Sequence, residues 1–258
     1  MNSSAHSSAH RGTVYLAGAG PGDPELLTVR VLRLLESAEL ILSDDLVSAE
    51  ILALAHRGAE IVPVGKRCGQ PRITQSEIHT LMIGAARAGK SVLRLKSGDP
   101  LIFGRAAEEI AALREAEIPF EIVPGITTAF AAAARLKTPL TDRGAASKLI
   151  LATAHHAAGK LEVTPKWTGA FPEDATLVIY MPGRKFRELA DDLIGSGVDR
   201  QAPCVAISNA STVKEEVYAS TLGEIEDAGV GPAPVILLVG YAIKVAEASK
   251  NVMKLISV

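Results

Sequence analysis

Residues Val92 to Glu109 read VLRLKSGDPLIFGRAAEE, and the fold is decided by how this stretch is read. An apolar run of strand character, Ser91 to Leu95, stops at Ser97-Gly98-Asp99-Pro100, and a segment of helical spacing, Ala106 to Glu117, follows within a few residues. The turn therefore sits at the carboxyl end of a strand, where ligands bind in open α/β sheets. Gly98 lets the backbone approach a ligand, Asp99 offers an acceptor, and Pro100 fixes the turn while withholding an amide. The same residues also suit a tight βα connection that binds nothing. The loop alone does not choose between the two.

On its amino-terminal side, strands are expected at Thr13 to Ala19, Leu40 to Ser43 and Ile61 to Val64, with helices at Glu25 to Ser37, Val47 to Ala55 and Ser76 to Ala88. Thr74 and Glu77 have the spacing of a capping box ahead of the last of these. On its carboxyl side come a strand at Phe120 to Val123 and a helix at Ile126 to Leu136. Strands and helices alternate, so a mostly parallel sheet covered by helices is predicted for residues 13–138.

Lys137 to Gly144 collects turn formers and reads as a linker into a second α/β domain, residues 139–258. Its strands are expected at Lys148 to Thr153, Thr176 to Met181, Cys204 to Ser208, Glu216 to Ser220 and Pro234 to Val239, with helices at Arg184 to Ile194 and Leu222 to Ala228. Thr221 and Glu224 offer another capping box. More strands per helix predict a mixed sheet. Residues 155–174 carry little periodicity, and residues 1–12 read as a disordered polar tail.

Composition bounds the function. Hydrophobic residues make up 48% of the chain and aromatics only 4%, so the core is aliphatic. A net charge of −2 with mixed signs argues against a nucleic-acid partner or a polybasic membrane surface, while allowing a local cationic pocket. No run reaches the ~18 apolar residues of a membrane span, and the amino terminus lacks a signal-peptide core. Cys68 and Cys204 form no Cys-x-x-Cys pair, so no metal site is expected and a cytoplasmic setting is the default.

Two more glycine loops end strands. Gly18-Ala-Gly20-Pro-Gly22-Asp-Pro24 only approximates the dinucleotide fingerprint, because its third glycine comes one residue early and Pro21 and Pro24 remove amides. Asp44, some twenty residues on, stands where a ribose-binding acid would, which keeps the dinucleotide reading open. Val123-Pro-Gly-Ile-Thr-Thr-Ala129 is the other loop, and Thr127 and Thr128 also read as ordinary helix caps. Spacing alone favours Asp44 as the cap of the helix near Val47 and Lys66 as a solvated strand-end lysine.

Taken in order, GAGPGDPELLT, SDDLVS, VGKRCG, RLKSGDPLIFGRAAEE, VPGITTA and PLTDR resemble the tetrapyrrole methylases, in particular the members that act on uroporphyrinogen III. The resemblance runs from about Val14 to Tyr241. It implies two α/β domains with S-adenosyl-L-methionine in a cleft between them, a homodimer, and two methyl transfers that yield precorrin-2 for siroheme or cobalamin, with S-adenosyl-L-homocysteine as co-product. By motif, Pro21, Ser97, Gly98, Asp99, Ile102, Thr127, Thr128, Met181 and Ala210 correspond to cofactor contacts. Asp44 and Lys66 correspond to proton acceptor and proton donor. Arg67, Arg105 and Arg143 suit a rim for a polycarboxylate substrate.

This chain departs from the family pattern at Asp45, Ser97, Asp142, Ala154 and Pro182, and Asp45 puts a second carboxylate beside Asp44. Among methylases, one acting on a later corrin intermediate is the alternative. Outside that class stand an NAD-dependent oxidoreductase built on the first glycine loop and a non-catalytic cofactor-binding regulator.

Overall fold

Strands β1 (Val14–Gly18), β2 (Leu40–Ser43), β3 (Glu60–Pro63), β4 (Val92–Lys96) and β5 (Phe120–Val123) form a sheet in the order β3-β2-β4-β1-β5. Every neighbouring pair is parallel, as the alternation of strands and helices predicts. The structure is a computed structural model and describes residues 12–65, 73–154 and 171–243. Contacts divide the chain after Thr127 into two compact units.

In the first unit, helices α1 (Val29–Leu35), α2 (Ala49–Leu52), α3 (Gln75–Arg87) and α4 (Ala106–Glu115) connect the strands. Ile78 and Met82 of α3 and Leu113 of α4 pack with Val14, Leu16, Leu42 and Val92, whereas α1 and α2 pack with Ala17, Ile41, Leu93 and Leu95. The two sets alternate along each strand, so both faces of the sheet are covered. Strand β4 lies at the centre, and all five of its residues are buried.

Helix starts follow local chemistry. The capping box of α3 forms as expected, with Thr74 and Glu77 bonding each other's backbone. The helix expected over Glu25 to Ser37 is broken: Asp23 caps a short 3₁₀ turn, Pro24–Leu26, and Thr28 then caps α1 by accepting from Val31 N at 3.3 Å. Ser48, not Asp44, caps α2. That helix is shorter than the Val47 to Ala55 expected.

In the second unit, β6 (Lys148–Thr153), β7 (Ala175–Tyr180), β8 (Pro203–Ser208), β9 (Glu216–Thr221) and β10 (Val235–Val239) form a sheet in the order β6-β7-β10-β8-β9. Only β6 and β7 pair in parallel, so this sheet is mixed, as expected. Helices α5 (Thr128–Arg135) and α6 (Phe186–Gly195) cover its faces. Ala129, Ala132 and Ala133 of α5 join the core of Val178, Val205 and Ile236. The observed division therefore falls before α5, earlier than the boundary expected near residue 138. The helix expected over Leu222 to Ala228 is two 3₁₀ turns, Leu222–Glu224 and Asp227–Gly229, and the Thr221 side chain makes no cap.

Cys204 is a buried free thiol, and burial pushes its pKa up to about 12. Among the described residues, no helix is long and apolar enough to cross a membrane, and no group of His, Cys, Asp and Glu is arranged to hold a metal ion.

Candidate active site

Strands β4, β1 and β5 are neighbours, and their carboxyl ends bring three glycines together. A Cβ on Gly18 would lie 2.5 Å from Gly98 O and 2.7 Å from Gly125 Cα, and one on Gly125 would lie 2.3 Å from Gly98 O. No other residue fits these positions without moving the backbone. Gly20 and Gly98 form a reciprocal pair, Gly20 N donating at 3.1 Å and Gly98 N at 2.7 Å. Ala19 N donates to Lys96 O at 2.7 Å. Asp99 completes the weave, accepting from Leu101 N at 2.8 Å and from Gly125 N at 3.0 Å. Ser48 donates to Gly22 O at 2.9 Å, which ties in the loop after β2.

This weave has a chemical consequence. The amides of Ala19, Gly20, Gly98 and Gly125 are spent within the protein, and Pro21, Pro24, Pro100 and Pro124 offer none. These positions thus contribute nothing to an amide nest for a pyrophosphate, which counts against the dinucleotide reading. Leu101 and Phe103 stand exposed beside Ile102, and Phe103 and Arg105 hold left-handed backbones with φ of 52° and 57°. Non-glycine residues in that region cost of order 1–3 kcal/mol and cluster at functional loops.

Behind these loops lies a buried ionic cluster. Arg94 Nη2 donates to Asp44 Oδ1 at 2.5 Å, Arg94 Nε donates to Glu109 Oε1 at 2.9 Å, and Lys96 Nζ lies 3.0 Å from Glu109 Oε2. Gln75 Nε2 adds a bond to Glu109 Oε1 at 3.2 Å. Burial lowers the pKa of Arg94, but Asp44 and Glu109 outweigh it and hold the guanidinium above its ordinary range. Lys96 goes the other way: burial and then the adjacent Arg94 push it below its ordinary value, against Asp44 and Glu109. Asp44 is the cluster's opening to solvent, with its side chain 29% exposed.

In the second unit, β7 and β8 both run antiparallel to β10, so their carboxyl ends share one sheet edge. Met181 follows β7, exposed and at φ 50°. Ala210 follows β8, buried between Asn209 and Ser211, whose φ values are 48° and 62°. Glu215 holds this strained turn, accepting from Ser211 N at 2.7 Å and from Arg135 Nε at 2.9 Å.

The structure thus gathers Pro21, Ser97, Gly98, Asp99 and Ile102 at one edge of the first sheet, with Thr127 closing that unit, and Met181 and Ala210 at one edge of the second. Arg105 is exposed and paired with Glu108 at 2.6 Å. Arg143 lines a surface cavity of about 270 Å³ with Glu173 and Asp174. Lys66 and Arg67 lie outside the described residues, as do residues 155–170 of the stretch with little periodicity.

The model of the Tetrapyrrole (Corrin/Porphyrin) Methylases family matches residues 13–226. The chain belongs to this family. A protein of Paracoccus denitrificans named uroporphyrinogen-III C-methyltransferase is 42% identical over 242 residues, which cover 93% of this chain and 84% of that protein. A siroheme synthase of Nitrosococcus oceani is 41% identical over 236 residues, 90% of this chain but 50% of that protein. The chain spans about half the length of the siroheme synthases it matches. Among solved structures, uroporphyrin III C-methyltransferase of Thermus thermophilus complexed with S-adenyl homocysteine matches with TM-score 0.76 at 38% identity, over 90% of this chain and 99% of that one.

In this tetrapyrrole methylase the sequence reading missed Arg94, Lys96, Glu109 and Gln75. Arg94 and Lys96 alternate with leucines, as on a half-exposed strand. A signal was present, however: a central parallel strand is buried on both faces, so charges on it demand buried partners, and Glu108-Glu109 on the next helix supplies one.

Proposed function

We propose that this chain is an S-adenosylmethionine-dependent C-methyltransferase that converts uroporphyrinogen III to precorrin-2. The observation that carries the reading is the 42% identity, along 93% of the chain, to a relative named for that reaction. Precorrin-2 leads to siroheme or cobalamin. On the family resemblance, the protein acts as a homodimer in the cytoplasm.

The residues present fit the cofactor. S-adenosylmethionine supplies a methyl group on a sulfonium, and it carries adenine, ribose and an amino acid but no phosphate. Loops in which the amides of Ala19, Gly20, Gly98 and Gly125 are already paired, flanked by the exposed Leu101 and Phe103, suit such a ligand better than a nucleotide diphosphate. Ser97, Gly98 and Ile102, with Pro21 and Thr127, are the proposed contacts from the strand-end loops, and Thr128 at the start of α5, Met181 and Ala210 add to them. Asp99, a further proposed contact, also holds the loop, since each of its oxygens accepts from a backbone amide. Positioning and exclusion of water supply most of the rate of an in-line methyl transfer.

Each methylated ring carbon requires loss of a proton elsewhere in the macrocycle. Asp44 is the proposed acceptor: Arg94 engages its Oδ1, and Oδ2, 3.9 Å from Lys96 Nζ, takes the proton. General base help of this kind is worth ~10²- to 10⁴-fold. Arg105 and Arg143, with Arg67, are proposed to meet the substrate's carboxylates.

Incubation of the pure chain with methyl-labelled S-adenosylmethionine and enzymatically made uroporphyrinogen III tests the reading. Label in a dimethylated product is expected. Absence of label sinks this substrate.

A further inference from the structure

We infer that Arg94 is a positioning residue that aims the Asp44 carboxylate for proton transfer, and that Glu109, itself bonded by Lys96, holds Arg94 in turn. The inference rests on the reading of Asp44 as proton acceptor.

Arg94 has no latitude. Its Nη2 faces Asp44 Oδ1 at 2.5 Å, its Nε faces Glu109 Oε1 at 2.9 Å, and its Nη1 donates to the carbonyls of Leu42 at 3.2 Å and Leu95 at 3.3 Å. Those carbonyls belong to adjacent strands, so the backbone itself sets the plane of the guanidinium. A lysine has no planar fork and cannot make this set of bonds. Glu109 is fully buried and is held from three sides, by Arg94, by Lys96 and by Gln75, which also bonds His79 at 3.2 Å.

The charges sort by exposure. Arg94 and Lys96 are each 2% exposed and Glu109 is 0% exposed. With Asp44 they make two cations and two carboxylates, balanced while all are ionised. Such a cluster is a poor way to gain stability, because apolar side chains of similar size commonly serve as well or better. Val92, on the same face of the strand, packs in the apolar cluster beside α3 and α4, so apolar side chains are accommodated on that face. What the cluster achieves is one carboxylate presented toward solvent at the strand ends, its orientation set by an arginine that cannot turn.

Four proteins test this: the full chain and its Asp44→Asn, Arg94→Lys and Asp44→Asn/Arg94→Lys variants, with kcat for methyl transfer and calorimetric binding of S-adenosylhomocysteine measured for each. Misplacement of a reacting group costs ~10²-fold, so Arg94→Lys, which keeps the charge, is expected to lower kcat about 10²-fold with cofactor binding unchanged. Because Arg94 acts through Asp44, the double variant is expected to be no slower than Asp44→Asn alone. Glu109→Gln, nearly isosteric, is expected to lower kcat in the same way and covers the case in which Arg94→Lys does not fold. Wild-type kcat in Arg94→Lys, or the full loss repeated in the Asp44→Asn background, overturns the inference while leaving Asp44 in place. Loss of cofactor binding in parallel with kcat overturns it too, by showing a general structural role. Retained turnover in Asp44→Asn overturns the base assignment and this inference together.

Discussion

The carboxylate of Asp99, at the end of β4, reaches the loop after β5 and accepts from the amide of Gly125 at 3.0 Å, while its other oxygen accepts from Leu101 N at 2.8 Å. One side chain thus spans the carboxyl ends of two strands that are separated by β1. Asp99→Ala leaves both amides without this partner. We expect S-adenosylhomocysteine affinity to fall at least tenfold in calorimetry, with stability lowered by about 1–3 kcal/mol in denaturant unfolding.

Glycine replacements separate crowding from propensity. Gly125→Ala drives a methyl group to 2.3 Å from Gly98 O, and we expect a loss of more than about 2 kcal/mol together with cofactor affinity. Gly84 sits in the middle of α3, exposed and with nothing near the position of an added Cβ. Gly84→Ala is expected to stabilise the protein by about 0.5–1 kcal/mol without changing kcat. Unfolding curves of the two variants side by side check both signs.

Asp44→Asn should retain cofactor binding and lose at least ~10²-fold in turnover. Single-turnover methyl transfer, measured against a calorimetric titration with S-adenosylhomocysteine, separates the two effects. Unchanged turnover would falsify the assignment of Asp44 as base.

A pH dependence follows from the capping box of α3. Glu77 lies below its ordinary pKa of 4.5, chiefly because it accepts from the Thr74 amide and then from the Thr74 hydroxyl. A carboxylate whose pKa falls on folding adds stability that is fully present above the unfolded value and lost as pH drops through the folded one. Glu77→Ala should therefore melt below the wild type near neutral pH, and the gap should narrow below pH 4.5. Thermal unfolding by circular dichroism across that range gives the comparison. A gap that does not change with pH overturns the assignment.

Much of the architecture was legible because it is written in short-range chemistry. Leu40–Ser43, Phe120–Val123 and Lys148–Thr153 are strands with the limits that their apolar runs predict. The start of α3 follows from Thr74 and Glu77. Breaks were less legible: Thr28 sits inside a periodic apolar pattern, and only its bond to Val31 N shows that the helix starts anew there. The turns after β9 likewise satisfy helical spacing for too few residues to hold an α-helix.

Sequence by itself determined which loops matter, since glycine, proline and aspartate at a strand end restrict the backbone wherever they occur, and it placed Asp44 at the end of β2. Tertiary structure alone decided what those residues touch. The expected helix cap at Asp44 became an ion pair with Arg94, because β4 lies between β2 and β1 and carries its arginine into a space that α4 closes with Glu109. No local pattern predicts that partnership. The residues stand 50 positions apart, and what joins them is strand order together with the cost of burying a charge unpaired.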